Sequence, residues 1–145
     1  MASNSDVVTV ERLIEAPASK VFAGWTEVSL MRRWLAAEVQ ADARVNGSYQ
    51  VEFHTSQGVH IVSGRYRELA PPRRIVASLN YAGPLALNDA AHARLTVELF
   101  PNGPRTEIHL RHGGLDGWPA NPGYQSFIAQ GAWSKAFSAL EKALL

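Results

Sequence analysis

Residues 17–35 read PASKVFAGWTEVSLMRRWL. Val21, Phe22 and Trp25 recur at helical spacing, Gly24 and Thr26 interrupt, and Leu30, Met31, Trp34 and Leu35 resume the apolar pattern. The spacing predicts two short helices bent against each other rather than one long helix. Pro17 suits a first helical turn, where a missing N–H costs nothing. Thr26 is placed to cap the second helix, with Glu27 near its positive end. Just upstream, VVTVERLIEA (residues 7–16) is rich in β-branched side chains and reads as a strand. Helical pieces inserted directly after a first strand can plug the open end of a curved sheet, with Trp25 and Trp34 supplying bulk.

Downstream the pattern changes to period two. GSYQVEFHTSQGVHIVSGRYREL (47–69) is a hairpin candidate turning at Gln57-Gly58. That turn sets Phe53 opposite Val62, Val51 opposite Gly64 and Tyr49 opposite Tyr66, with Gln50, Glu52 and His54 on the other face. APPRR (70–74) reads as a turn and RRIVASLNY (73–81) as a further strand. YAGPLALNDAAH (81–92) is a longer loop with an apolar middle. ARLTVELFPNGPRTEIHLRHGGL (93–115) is a second hairpin, turning at Asn102-Gly103. There Leu95, Val97 and Leu99 face Leu110, Ile108 and Thr106, and Ala93 faces His112. The same register opposes Glu98 to Glu107 and Arg94 to Arg111, so a bulge near the turn is expected.

DGWPANPGY (116–124) reads as loop, and one long helix is expected from Asn121 to Leu145. Its apolar stripe changes phase at Gly131. Tyr124, Phe127 and Ile128 share one side; Trp133, Ala136, Phe137, Leu140 and Leu144 lie about half a turn round. A kink is expected there, or a first half that covers a ligand, a loop or a second subunit. The two-sided stripe is compatible with a homodimer. One strand, two short helices, about five antiparallel strands and a long terminal helix make an α+β domain.

The bulk numbers agree with one folded domain. The chain has 145 residues, 46% hydrophobic and 19% charged, at a formal net charge of +1. Such a balance implies neither a nucleic-acid partner nor attraction to anionic membranes. There is no cysteine, which removes disulfides, thiol nucleophiles and thiolate metal sites. Residues 1–6 are polar and expected to be disordered. With no signal-peptide pattern and no bilayer-length apolar run, a cytoplasmic protein is expected.

Together these stretches resemble a known family. EAPASKVFAGWT (15–26), LMRRWL (30–35), GSYQVEF (47–53), SGRYRELAPPRRIVASL (63–79), LTVEL (95–99), EIHLRHGGL (107–115) and GAWSKAFSALEKAL (131–144) stand in the order of the helix-grip fold. That is the fold of the START and birch-pollen-allergen (Bet v 1-like) superfamily. Within it the chain resembles the activator of heat-shock protein 90 ATPase homologue group. Family members commonly have Gly directly before the Trp that follows Gly131-Ala132 here. Eukaryotic members named for the chaperone carry a separate N-terminal domain with an Asn- and Trp-rich motif. These residues hold no such motif, so the family name is not expected to describe the function.

The resemblance implies a cavity between the concave sheet face and the long helix, suited to a small apolar or aromatic molecule. On the registers above, Tyr49, Val51, Phe53, Val62, Tyr66, Leu95, Val97, Ile108 and Leu110 point inward, with His112 at one end. Tyr124, Phe127 and Ile128 are then candidates for the roof, and Trp34 or Trp118 for an end wall. Histidine is frequent among relatives at the position of His112. It is placed either to orient a ligand and move a proton or simply to bond a nearby carbonyl. Tyr49 and Tyr66 are either ligand hydroxyl donors or cross-strand packing.

His54 and His60 fall on opposite faces with no carboxylate ligand obvious nearby, so no metal or other cofactor is expected. The Arg32-Arg33 and Arg73-Arg74 pairs read as solvated surface. No Gly-x-Ser-x-Gly motif and no dinucleotide-binding glycine pattern occurs. The leading expectation is a non-catalytic binder of a small hydrophobic ligand, without nucleic-acid or membrane partners. The alternatives are a cyclase- or hydrolase-like enzyme using pocket His and Tyr, and a chaperone partner.

Overall fold

Alternating apolar and polar residues build seven strands, and the insertion after the first builds two helices. A computed structural model of the chain describes residues 8–35, 38–56, 58–82, 92–113 and 133–144. The strands are β1 (Val8–Ile14), β2 (Glu38–Ala41), β3 (Ser48–Thr55), β4 (Gly58–Ala70), β5 (Arg74–Ala82), β6 (His92–Asn102) and β7 (Arg105–Gly113). Helices α1 (Ala18–Thr26) and α2 (Val28–Trp34) follow β1, and α3 (Trp133–Ala143) comes last. The strands form one curved antiparallel sheet in the order β1-β7-β6-β5-β4-β3-β2. The helix-grip architecture read from the sequence is the observed one.

β2 is the strand that periodicity did not reveal. Its four residues, Glu-Val-Gln-Ala, bury only Val39 fully, too little alternation to stand out. Six strands therefore follow the helices. Of the helix expected over 121–145, α3 is the described part; residues 121–132 and the kink at Gly131 lie outside the described residues.

α1 and α2 meet as expected, with different end chemistry. Pro17 is the N-cap of α1 rather than inside its first turn. Thr26 ends α1 and donates its hydroxyl to the Phe22 carbonyl at 3.1 Å, so it does not cap α2. Glu27 takes the N-cap position of α2. A hydroxyl already bonded back along its own helix is not free to serve the next. Trp25 and Trp34 pack edge to face, with ring centroids 4.8 Å apart, and the Trp34 indole N–H donates to the Gly24 carbonyl at 2.6 Å.

Both hairpin registers differ from expectation by two residues. β3 and β4 pair Val51 with Val62, Tyr49 with Gly64 and Phe53 with His60. β6 and β7 pair Leu95 with His112, Val97 with Leu110 and Leu99 with Ile108. The second turn is centred on Gly103-Pro104, and Gly103 supplies the positive φ of 64°. Electrostatics supplies a reason: the observed register separates Glu98 from Glu107 and Arg94 from Arg111. Glu98 faces His109 on β7 in place of Glu107, and on its other side it accepts from the guanidinium of Arg74 on β5 at 3.1 Å. A shift of two preserves facing, because side chains alternate with period two. The expected bulge falls not at that turn but at Arg67, between β4 and β5.

The core fills the concave side. α3 lies across α2, β1 and α1, burying Phe137, Leu140 and Leu144 with Ile14, Val21, Trp25, Trp34, Tyr66, Val97, Ile108 and Leu110. Arg12 on β1 ties the helix down: its guanidinium donates to Glu141 at 2.7 Å, to the Ser138 hydroxyl at 2.9 Å and to the Ser134 carbonyl at 3.1 Å. The other Glu141 oxygen accepts from the Glu15 amide at 3.0 Å. A second, smaller cluster joins Met31 of α2 to Val39 and Val51, with Phe53 and Val62 at its margin.

Gly64 is where two strands approach closely. A Cβ there would meet the Ser78 carbonyl oxygen at 1.9 Å. Gly64→Ala is therefore expected to destabilise the fold by about 1–3 kcal/mol, read as a lower urea midpoint. An unchanged midpoint would show that the two strands can part.

Candidate functional site

The concave faces of β3, β4 and β7 carry most of the residues singled out from the sequence. Alternation from Tyr49 gives Tyr49, Val51 and Phe53 on β3. Alternation from His60 gives His60, Val62, Gly64 and Tyr66 on β4. On β7, Thr106, Ile108, Leu110 and His112 are all buried, alternating with more exposed neighbours.

These residues separate into two groups. Trp34, Tyr66, Leu95, Val97, Ile108 and Leu110 belong to the large buried cluster under α3, with Tyr49 packed at its edge. Val51 belongs to the smaller cluster beneath α2, where Phe53 and Val62 are only half-buried. His112 is 1% exposed and lies opposite Leu95 on β6 and Val8 on β1. Trp118, Tyr124, Phe127 and Ile128 lie outside the described residues.

Three polar groups of this face, His112, Tyr66 and Tyr49, are shifted toward their neutral forms by burial. Burial pulls the His112 imidazolium down to a pKa of about 4, so at neutral pH the ring carries no charge. Burial pushes the Tyr66 hydroxyl up to about 12. Tyr49 is raised further, first by burial and then by the neighbouring Tyr66 hydroxyl. The two phenol rings are 5.5 Å apart and tilted.

Each hydroxyl is directed at backbone: Tyr49 donates to the Ser78 carbonyl at 2.6 Å and Tyr66 to the Trp25 carbonyl at 3.4 Å. Tyr49 reaches Ser78 by lying across Gly64, whose missing side chain leaves room for its ring. His60, which the sequence suggested only as a poor metal ligand, is buried and stacks on Phe53 at 4.7 Å with ring planes 5° apart. Its alternation with half-buried Val62 was the available signal. His54 points the other way and pairs with Glu52 at 3.1 Å.

The opposite sheet face differs in character. A shallow depression of about 390 Å³ lies over β2–β5, lined by Gln40, Gln50, Ser63, Arg65, Arg67 and Asn80 among others. It is a polar surface, unsuited to an apolar molecule.

Comparison with known proteins agrees with the geometry. The family described as Activator of Hsp90 ATPase homolog 1-like protein matches residues 15–145. None of the curated protein sequences compared with the chain matches significantly. Among solved structures, protein CV1439 from Chromobacterium violaceum has a TM-score of 0.78 at 24% identity, covering 96% of each chain. Protein NE0264 from Nitrosomonas europaea has a TM-score of 0.77 at 17% identity, covering 99% of this chain and 97% of its own. DynU16, from the dynemicin biosynthetic locus, has a TM-score of 0.74 at 16% identity, covering 96% of this chain and 47% of its own. At these identities the likeness is one of fold. Among the described residues no helix is long and apolar enough to cross a membrane.

Proposed function

Given that the chain belongs to the Activator of Hsp90 ATPase homolog 1-like family, we propose that its concave face binds a small apolar or aromatic molecule. The site is the part of that face centred on Phe53, Val62 and His60. One observation carries the reading. Ile108 and Leu110, in one cluster with Phe137 and Leu140 of α3, are completely buried, whereas Phe53 and Val62 on the same sheet face stay half-buried. An apolar sheet face that continues beyond the described part of α3 gains free energy from any apolar surface laid on it, about 25 cal/mol per Å².

Binding is favoured over catalysis by the state of the polar groups. Tyr49 and Tyr66 each give their one hydroxyl proton to a backbone carbonyl. His112 is neutral at physiological pH, and its proton affinity lies well below the range in which a general base works best. An apolar floor whose neighbouring tyrosine hydroxyls are already bonded to backbone suits recognition of an aromatic ligand.

The test is a titration with an apolar fluorescent dye, anilinonaphthalene sulfonate, against the wild-type chain and Val62→Trp. Val62→Trp adds bulk at a half-buried position and is expected to weaken dye binding at least tenfold while leaving the far-ultraviolet dichroism of the sheet in place. Equal affinity in both proteins, with the fold intact, would remove the site from this face.

A further inference from the structure

A second cluster of chemistry-bearing side chains lies on the outer face of the sheet, away from the concave floor. β1 and β7 pair Glu11 directly with His109. Glu107 stands two residues before His109 and therefore on the same face. Among the described residues, Glu11, Glu107 and His109 form a group whose ligand atoms all lie within 4.8 Å of one another. The His109 Nε2 is 2.7 Å from a Glu107 oxygen and its Nδ1 is 3.9 Å from a Glu11 oxygen.

Glu107 and Glu11 approach different nitrogens of the His109 ring, so three donor groups converge on one patch between β1 and β7. A cation held there offsets the repulsion between the two carboxylates. The charged groups that share the face include Glu98, across from His109 on β6, Arg111, two residues further along β7, and Arg105, two residues before Glu107 and paired with Glu15 at 3.0 Å. Arg74 contacts Glu98 at 3.1 Å and Glu68 at 2.9 Å, so its one positive charge is shared between two carboxylates. Phe100 packs its ring against His109, with centroids 4.6 Å apart.

We propose that Glu11, Glu107 and His109 bind a zinc ion that pins edge strand β1 to β7. One imidazole nitrogen and two carboxylate oxygens are a borderline-soft donor set of the kind zinc takes, at about 2.0–2.2 Å. The three donor atoms lie within 4.8 Å of one another, a spread that a zinc ion would draw together, with water as the remaining ligand. Magnesium and calcium, which call for six or more oxygens, are poorly served by this set.

The experiment is isothermal titration calorimetry of the full chain with zinc chloride at pH 7.5, repeated with magnesium chloride. One saturable zinc site and no magnesium heat are expected. Glu107→Gln and His109→Ala are each expected to weaken zinc at least tenfold. Both substitutions are on the surface, so the unfolding midpoint measured without metal is expected to move little. Three results would overturn the proposal: no saturable zinc binding, zinc affinity unchanged in both variants, or magnesium bound as tightly as zinc.

Discussion

Phe137→Ala is expected to reduce the stability of the fold by about 3–5 kcal/mol, the usual cost of emptying a fully buried aromatic site. Phe137 is 0% exposed and shares one buried cluster with Trp25, Trp34, Ile108, Leu110 and Leu140. It is the bulkiest fully buried side chain that α3 contributes, and the elements around it come from both ends of the chain. Domains of this size are stable by only about 5–15 kcal/mol, so one such cavity removes a large share.

The comparison that isolates packing is Glu141→Gln, on the same helix. It weakens the 2.7 Å ion pair with Arg12, whose side chain is partly exposed, and is expected to cost about 1 kcal/mol or less. Urea unfolding of both variants is the measurement. If Phe137→Ala loses less than Glu141→Gln, the helix is held by its charges and the core described above is not what fixes it.

The second large effect is on pH dependence and arises from His112. In the unfolded chain its imidazole has the ordinary pKa of 6.5; in the fold, burial lowers it to about 4. Above pH 6.5 the ring is neutral in both states and the fold bears no cost. Between 6.5 and 4 the unfolded chain takes up a proton that the folded chain refuses, so stability falls as pH falls. The whole effect approaches about 3 kcal/mol once pH drops below the folded value. Urea midpoints from pH 7.5 down to 4.5 will show the slope. In His112→Leu, which cannot titrate, that acid limb is expected to flatten. An equal slope in wild type and variant would place the acid sensitivity on other groups.

How far the sequence led is clearest at the strands. Facing was legible throughout: Tyr49, Val51 and Phe53, and Leu95, Val97 and Leu99, stand on the face that alternation assigned them. Pairing was not, because Asn102-Gly103 and Gly103-Pro104 are both acceptable turn centres, and local propensity does not include the Arg74–Glu98 contact that accompanies the observed one. β2 was hidden by its brevity. Contacts between distant segments were hidden altogether. The Arg12–Glu141 tie spans 129 positions, and Glu11 meets His109 only because the first strand pairs with the last. Of the candidate site, the shared facing of Val51, Phe53 and Val62 was readable and the stacking of His60 on Phe53 was not, since it depends on a register two residues away from the expected one.

The edge-to-face indoles of Trp25 and Trp34 have an optical consequence. At a centroid separation of 4.8 Å the excited states of the two rings mix. The pair thus contributes an exciton couplet to circular dichroism in the same spectral region as the helix signal. Ellipticity there reports the docking of α1 on α2 together with backbone order. A melt followed at that wavelength therefore registers the loosening of this corner even while the strands remain paired.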